Sequence, residues 1–425
     1  MRKALFTTAV AIGVAIASYA MMQPSALATT PNTCAILAGS FTPNSPMHIK
    51  PAGHFHQMIQ SKIYAACLQA RGKQGAARMT APGQTGTNTT NAGTFVAFNV
   101  PGSIQTAATA INNPATAVTG GYISGTDDDP ATILFHSFLR TSDGTLTPFD
   151  PPGTACTPVT SNFCSNGVGI TPDRTIVGGY CDTVQCHGYL RALNGTFTVF
   201  DPPSSVFTFP RAINSGGAVT GGFFTAGFFG AHGFLRAPNG TYTTFDPLGS
   251  TYTQPNAINP EGTVTGLFID VTGVQHGFLR TSDGKITEFD PMGSTFTQPN
   301  AINPAGTVTG GVSDVRGVGH GFLRTSDGTI TVFDPVGSTG TFAAGINPAG
   351  TIVGSFVNSS GVHGFLRAPN GTITVYDAPG SMPPVSGFTF TVLNAINPGG
   401  TVAGVFITAD FSEEPGFVVR PKNMH

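Results

Sequence analysis

The sequence predicts an all-β protein, and its composition and its internal repetition both support this fold class. The 425 residues include 56 Gly and 33 Pro, and only 9% of the residues are charged. Short strands separated by tight turns have such a composition, whereas helices contain little Gly and Pro. A motif of the form HGFLR begins at residues 136, 187, 232, 276, 320 and 363 and, as PGFVVR, at 415. Repetition at this spacing is typical of proteins built from one recurring structural unit.

Each repeat contains four short segments of alternating polar and apolar residues. In residues 256–291 these segments are AIN, TVTGLF, HGFLR and KITEFD, and turn sequences such as NPEG and SDG separate them. Four strands in a repeat of this length correspond to one propeller blade. Seven repeats therefore predict a seven-bladed β-propeller of four-stranded blades. A stacked β-solenoid is the alternative architecture.

The two ends of the repeat region predict how the propeller closes. Residues 93–102, GTFVAFNVPG, match the fourth strand of a repeat, whereas the last repeat ends with GFVVR, which matches the third strand. We therefore expect the N-terminal strand to complete the last blade, so that no long sheet edge stays exposed. The predicted propeller covers residues 93–420 and is followed by a tail at 421–425.

Residues 1–28 have the pattern of a signal peptide. Arg2 and Lys3 precede an apolar stretch, and the small-residue site Ala26-Leu27-Ala28 follows it. An uncleaved membrane anchor is the alternative, because the apolar stretch almost reaches spanning length. After cleavage we expect no transmembrane segment, and a secreted, periplasmic or cell-surface location.

Residues 29–92 do not follow the repeat and are predicted to form an N-terminal extension. Within it, residues 54–74 place apolar side chains at helical spacing, and residues 81–93 form a Gly/Thr/Asn-rich linker. We expect this helix to pack on the propeller or to plug one rim. His54 and His56 lack a third candidate metal ligand nearby, so a metal site is not predicted there.

The six cysteines predict disulfides, because an exported chain enters an oxidising compartment. Their positions suggest local pairs. The expected bonds are Cys34–Cys67, Cys156–Cys164 and Cys181–Cys186. A zinc site is the less favoured alternative, since the spacing of the cysteines does not match common zinc motifs.

A His at the start of the third segment and an Asp at the end of the fourth segment recur 14 residues apart. Folding the two segments into a hairpin places these residues opposite each other, so their side chains can meet. The six pairs are His136 and Asp150, His187 and Asp201, His232 and Asp246, His276 and Asp290, His320 and Asp334, and His363 and Asp377. Because equivalent pairs around a ring cannot converge on one ion or one substrate, we interpret them as structural hydrogen bonds. They also suggest that the stability of the ring depends on pH.

The third segment usually ends with an Arg at the opposite rim. These residues are Arg140, Arg191, Arg236, Arg280, Arg324, Arg367 and Arg420. We expect them to form solvated ion pairs with the turn residues Asp143, Asp283 and Asp327, which would add little stability.

The repeat unit resembles that of the bacterial extracellular HAF family. The matching elements are AINPxGTVxG, HGFLR and GxITxFDP, over residues 94–420. The sequence departs from the family pattern by having Gly or Ser for Ala, Arg for Trp, and FDP for DLG. The resemblance implies an exported bacterial repeat protein, but it implies no activity that could be transferred to particular residues.

The sequence favours a non-enzymatic binding module for a glycan or a protein. A formal charge of −2 without a basic run argues against nucleic acid. Aromatic and amide side chains before the AIN segment suit sugar binding, and the candidate ligand-binding residues are Phe207, Arg211, Tyr252, Gln254, Asn256, Phe296, Gln298 and Asn300. We expect a monomer with no cofactor, no metal and no catalytic residues. The alternatives are a polysaccharide lyase or hydrolase with a site at the propeller axis, and a purely structural envelope component.

Overall fold

The computed structural model describes residues 87–90, 93–126, 129–156, 163–227, 230–381, 389–408 and 413–421. These ranges contain 29 β-strands and no helix. Within them, no segment qualifies as a helix that could span a bilayer. The predicted signal peptide, the predicted helix at 54–74 and the cysteines Cys34 and Cys67 lie outside the described residues.

The strands form antiparallel groups of four that follow the sequence repeat. Two strands precede the first group: β1 (Thr87–Thr90) and β2 (Gly93–Phe98). The groups are β3 (Gln105–Ile111), β4 (Ala117–Thr126), β5 (Asp129–Thr141), β6 (Leu146–Phe149); β7 (Ser165–Ile170), β8 (Ile176–Cys181), β9 (Cys186–Arg191), β10 (Phe197–Phe200); β11 (Ser205–Ile213), β12 (Val219–Thr225), β13 (Ala231–Arg236), β14 (Tyr242–Phe245); β15 (Ser250–Ile258), β16 (Val264–Asp270), β17 (Gln275–Arg280), β18 (Ile286–Phe289); β19 (Ser294–Ile302), β20 (Val308–Asp314), β21 (Gly319–Arg324), β22 (Ile330–Phe333); β23 (Gly340–Ile346), β24 (Ile352–Asn358), β25 (Gly361–Arg367), β26 (Ile373–Tyr376). Three further strands follow: β27 (Thr389–Ile396), β28 (Val402–Phe406) and β29 (Gly416–Pro421).

Because the strands of a group alternate in direction, the loops of the fold lie at two opposite rims. The loop between the second and third strands and the loop from the fourth strand to the next group share one rim, which we call the lower rim. Residues 271–274 and 290–293 are examples of these two loops. The NPxG and SDG turns lie at the other rim, which we call the upper rim.

The Gly in the TVTG segment allows the first and second strands of a group to approach closely. A Cβ atom on Gly266 would lie 2.1 Å from the backbone oxygen of Gln254, and one on Gly310 would lie 2.0 Å from that of Gln298. No side chain fits at such a distance, so the repeat requires Gly there.

The core between neighbouring groups is built from aromatic pairs. The Phe of the FDP segment contacts the aromatic residue of HGFLR in the following group: Phe245 lies 5.9 Å from Phe278 and Phe289 lies 6.0 Å from Phe322, both edge to face. The HGFLR Phe is fully buried in these groups. Edge-to-face packing of this kind adds to the hydrophobic contribution of the buried rings.

The Arg of HGFLR lies over the same FDP ring of the preceding group. Arg280 lies 4.9 Å from the centre of the Phe245 ring and Arg324 lies 5.0 Å from that of Phe289. The same contact joins Arg140 to Phe98, Arg191 to Phe149, Arg236 to Phe200 and Arg367 to Phe333. The expectation of solvated ion pairs is therefore wrong for these six arginines, which are less than 10% exposed. They make cation–π contacts between groups, and only Arg420 is exposed.

The Asn that ends the AIN segment also links neighbouring groups. Its side-chain oxygen accepts backbone N–H groups of its own turn, and its Nδ2 donates to the next group, as from Asn214 to the oxygen of Asn259 at 3.1 Å. Further links run from Asn259 to Asn303, from Asn303 to Asn347, from Asn397 to Asn112 and from Asn112 to Thr171. One buried amide thus caps a turn and holds the adjacent group in place.

The two ends of the described chain pair with each other. Strand β2 is antiparallel to β29, from Gly93 opposite Pro421 to Phe98 opposite Gly416. Strands β2 and β27 also contact the first group. Phe98 lies 5.9 Å from Phe138, and Asn394 Nδ2 donates to the oxygen of Ala108 at 2.9 Å. Backbone pairing among the described strands forms four separate sheets, none of which closes on itself.

Two disulfides lie in the second repeat and the loop before it. They join Cys156 to Cys164 and Cys181 to Cys186, as the sequence predicts. Because cytosolic proteins rarely keep structural disulfides, this pairing indicates a non-cytoplasmic location.

Replacing Asn397 with Asp tests the link between the last and the first group. The carboxylate can still accept the N–H of Thr401 but cannot donate to the oxygen of Asn112. We expect the free energy of unfolding to fall by about 1–3 kcal/mol, because a buried acceptor loses its partner. The measurement is urea unfolding followed by circular dichroism.

The matched control is Asn370→Asp, at an exposed turn where only the side-chain oxygen is used. This variant should change stability by less than about 0.5 kcal/mol. Equal effects of the two substitutions would contradict the proposed role of the Asn397 amide.

Candidate functional site

The predicted His and Asp partners lie in contact at the lower rim. In each pair the imidazole donates and the carboxylate accepts, and the strand register of HGFLR against the FDP segment produces this contact, as with Gly277 opposite Phe289. The distance from His Nδ1 to the nearest carboxylate oxygen is 2.6–2.9 Å in all six pairs: His136 and Asp150, His187 and Asp201, His232 and Asp246, His276 and Asp290, His320 and Asp334, and His363 and Asp377.

Four of these carboxylates also bind the following group. Thr208 Oγ1 donates to Asp201 Oδ1 at 2.6 Å, across the boundary between two groups. Equivalent bonds join Ser165 to Asp150, Thr297 to Asp290 and Thr341 to Asp334. Each of these four Asp residues therefore connects the third strand of its own group to the first strand of the next. In each of these four Asp residues one carboxylate oxygen binds the His and the other binds the next group. We therefore interpret these pairs as structural.

Asp246 and Asp377 differ from the other four carboxylates, although the sequence suggests six equivalent pairs. Both keep the bond to their own His, at 2.7 Å for Asp246 and at 2.9 Å for Asp377. Among the described residues, neither accepts a hydrogen bond from the Thr of the next group. Thr253 Oγ1 donates to Ser250 instead, and Thr391 Oγ1 accepts a backbone N–H. The predicted bond between His and Asp is therefore present in all six pairs, but the side chains of Asp246 and Asp377 tie together only their own hairpins.

The charge state of two of these histidines depends on nearby carboxylates. Burial lowers the pKa of His187, but the hydrogen bonds and charges of Asp201 and Asp182 outweigh burial and raise the pKa overall. Burial likewise lowers the pKa of His276, and Asp290, Glu288 and Asp270 raise it above the ordinary value.

One cluster at the lower rim could offer ligands to a metal ion. His276, Glu288 and Asp290 place three ligand atoms within 4.8 Å of one another. Asp290 already accepts bonds from His276 and Thr297, and Glu288 is exposed. A second grouping of His136 with Cys156 and Cys164 offers no thiolates, because the two cysteines form a disulfide.

The predicted ligand-binding amides have partners inside the protein. Asn256 Nδ2 donates to the oxygen of Pro299 at 2.7 Å and Asn300 Nδ2 donates to that of Ala343 at 2.8 Å. Gln254 and Gln298 are less than 4% exposed, and each donates to the Asn two residues later. Asn256 and Asn300 thus link the first strands of neighbouring groups, and Gln254 and Gln298 support them from within the same strand. Sequence reasoning did not find these links, because the partners are backbone atoms about 43 residues away.

The predicted aromatic ligand residues lie where the innermost strands begin. Phe207 and Phe296 are at least 90% buried, and Tyr252 is partly exposed. Phe207, Phe209 and Tyr252 belong to one aromatic cluster that also contains Phe224.

Arg211 occupies a strand position at which the next two groups have an Asn that hydrogen-bonds to the group after it. The residue lies at a β-bulge between Pro210 and Ala212, as Asn256 and Asn300 do in the next two groups. A bulge redirects one side chain out of the regular alternation. The Asn residues there donate to a carbonyl oxygen of the following group. The Nε and Nη2 atoms of Arg211, in contrast, are buried and have no hydrogen-bond partner among the described residues.

The surroundings of Arg211 are aromatic rather than acidic. Its guanidinium carbon lies 6.0 Å from the centre of the Phe209 ring. Burial lowers the pKa of Arg211 to about 10, and burial raises the pKa of Tyr252 to about 12. At neutral pH the site therefore holds an unpaired cation beside a neutral phenol. A buried cation without a counter-ion is costly, and a bound anion would relieve that cost.

The fold is similar to that of solved β-propellers. The β-propeller domain of the trilobed protease from Pyrococcus furiosus matches with a TM-score of 0.50 and 9% identity, over 73% of this chain and 93% of that one. A putative TolB from Agrobacterium tumefaciens matches with a TM-score of 0.41 and 13% identity, over 66% and 95% of the two chains. The BP39L lectin from Burkholderia pseudomallei matches with a TM-score of 0.44 and 11% identity, over 72% and 97%.

The first match shows a β-propeller fold and nothing about function, because the identity is low. The other two TM-scores are below 0.5 and add nothing to that conclusion. No protein-family model and no curated protein matches the sequence.

The raised pKa of His276 predicts that stability depends on pH. A group whose pKa is higher in the folded state stabilises the protein fully below its unfolded-state pKa, near 6.5, and this contribution disappears as the pH rises through the folded-state pKa. The thermal unfolding midpoint should therefore decrease from about pH 6 to about pH 8. His276→Gln should reduce this decrease, measured by scanning calorimetry.

Glu288→Val is the matched variant, since the next repeat has Val332 at that position. This variant removes one of the carboxylates that raise the pKa and should reduce the pH dependence in part. A midpoint in the parent that does not change between these pH values would contradict the interpretation.

Proposed function

We propose that the chain is an exported, non-enzymatic β-propeller that binds a carboxylate-bearing ligand, an acidic glycan, at Arg211. The observation that carries the proposal is Arg211, a partly exposed residue whose buried Nε and Nη2 atoms have no hydrogen-bond partner among the described residues. A planar guanidinium can form two parallel hydrogen bonds to a carboxylate. Tyr252 is partly exposed and provides an aromatic surface of the kind that sugar rings pack against in such sites.

The proposed architecture is a ring of seven four-stranded blades, in which β2 serves as the fourth strand of the last blade. Supporting contacts run from β29 through β2 to the first group, and the Phe98–Phe138 pair and the Arg140–Phe98 contact repeat the pattern found between consecutive groups. A rigid ring would hold Arg211 and its aromatic neighbours in a fixed arrangement, which favours ligand binding.

The proposed origin is a bacterial exported protein related to the HAF family. The disulfides and the repeated AIN, HGFLR and FDP segments support this proposal. A signal peptide at residues 1–28 would deliver the chain to an oxidising compartment.

The function is tested with oligosaccharides of uronic acids and with the same oligosaccharides after reduction of their carboxyl groups. Calorimetric titration should show binding of the acidic form only. Arg211→Asn, which introduces the residue found at this position in the next two repeats, should weaken binding by about 10- to 100-fold, because a charge-assisted hydrogen bond contributes about 1.5–3 kcal/mol. The control is Arg316→Gln, which removes a 79% exposed cation at the lower rim and should leave the affinity unchanged.

Binding of both forms with equal affinity, or binding that Arg211→Asn does not change, would contradict the proposal. Mass spectrometry of the oligosaccharides after incubation tests the alternative of a lyase or hydrolase. New product masses that require the folded protein would replace the binding function with an enzymatic one.

A further inference from the structure

Several apolar side chains at the lower rim are exposed to solvent and do not contribute to the core. Leu248, Met292 and Val336 are fully exposed, at the same position of three consecutive DPxG loops. Val271 and Val315, in the loops between the second and third strands of two of these groups, are 78% and 79% exposed. Exposed apolar residues that recur on one face of a molecule indicate an interaction surface.

The same rim is acidic. Asp270 and Asp314 directly precede the exposed Val271 and Val315, and Glu288 lies 3.4 Å from His276 of the same rim. Arg316 is the one Lys or Arg in the described loops of this part of the rim, residues 271–274, 290–293, 315–318 and 334–339. The carboxylates of Asp270 and Asp314 stay ionised at neutral pH, because hydrogen bonds from Thr272 in one case and from Val318 in the other lower their pKa values. A partner for this surface should therefore combine apolar and basic side chains.

The N-terminal part of the chain has this combination. Residues 29–86 contain five basic residues and no acidic residue: Lys50, Lys62, Arg71, Lys73 and Arg78. The remaining residues 87–425 contain all 21 acidic residues but only 12 of the 19 Lys and Arg residues. The predicted helix at 54–74 adds a row of apolar side chains, among them Phe55, Ile59 and Ile63.

The path of the chain leads this segment to the lower rim. Strand β2 runs from the upper to the lower rim, and β1 is antiparallel to it, with Thr90 opposite Gly93 and Thr87 opposite Val96. Thr87, the first residue of β1, therefore lies toward the lower rim. Residues 75–86 can extend over at most about 40 Å, which lets the segment cross from the end of β1 to neighbouring groups.

We propose that residues 54–74 dock on the lower rim through the apolar residues Leu248, Met292 and Val336 and the acidic residues around them. Charge favours this occupant over the alternatives. A second copy of the ring would bring one acidic rim against another acidic surface, and an anionic lipid surface would be repelled. The inference concerns the rim and does not depend on ligand binding at Arg211.

The test is limited trypsin digestion of the chain from residue 29 to 425, with cleavage after Lys62, Arg71 and Lys73 followed by mass spectrometry. The parent chain should be cleaved at these sites at least tenfold more slowly than a free peptide of residues 50–78. The triple variant Leu248→Ser, Met292→Ser, Val336→Ser should lose this protection, and high salt should weaken it in the parent. Carbodiimide coupling should join Lys62 or Lys73 to Asp270, Glu288 or Asp314.

The matched control is Leu193→Ser, which changes a 59% exposed leucine in a turn of the upper rim. This variant should be cleaved at the parent rate, and both variants should keep the unfolding midpoint of the parent. Equal protection in the two variants, or a parent segment cleaved as fast as the peptide, would overturn the proposal. Protection that disappears on dilution would assign the surface to a second copy instead and would also overturn it.

Discussion

The contact on which the rest of the fold depends is the stack of an FDP ring between an aromatic ring and an Arg of the following group. Phe245, for example, contacts both Phe278 and Arg280. Edge-to-face aromatic pairs contribute about 0.5–1.5 kcal/mol beyond burial, and desolvated cation–π contacts contribute about 2 kcal/mol. Because each group supplies a ring to the next group and receives one from the preceding group, no group completes its core alone. The same arrangement joins β2 at the N-terminal end of the described chain to the first group.

Much of this architecture can be predicted from the sequence, because the contacts within one hairpin are local. The offset of 14 residues between His276 and Asp290 and the turn between their strands are enough to place the two side chains together. The spacing of the segments also predicts a propeller, and the described strands belong to one. Contacts between groups could not be predicted in the same way. The burial of Arg280 depends on Phe245, and the bond of Asn256 depends on a backbone oxygen of Pro299, and no pattern within one repeat identifies these partners.

The sequence predicts the candidate site only in part, again because contacts between groups cannot be read from one repeat. Arg211, Phe207 and Tyr252 were predicted from residue type; Phe207 and Tyr252 belong to one aromatic cluster, and Arg211 lies near Phe209 of that cluster. Gln254 and Gln298 were chosen by the same reasoning, but they are buried, and each donates to the Asn two residues later in its own strand. Comparison between repeats separates the two cases. The recurring Asn256 and Asn300 bond to the following group, whereas Arg211, which replaces Asn at this position, has Nε and Nη2 atoms without a hydrogen-bond partner among the described residues.

The most direct test of whether the two ends of the repeat region form one stable unit is amide hydrogen exchange in the chain from residue 29 to 425. Native-state exchange reports the free energy of opening for each strand. The amides of β2 and β29 should exchange as slowly as those of the interior strands β16 and β20, because all would open only with the whole ring. Exchange of β2 and β29 that is faster by orders of magnitude, with β16 and β20 still protected, would contradict closure by the N-terminal strand.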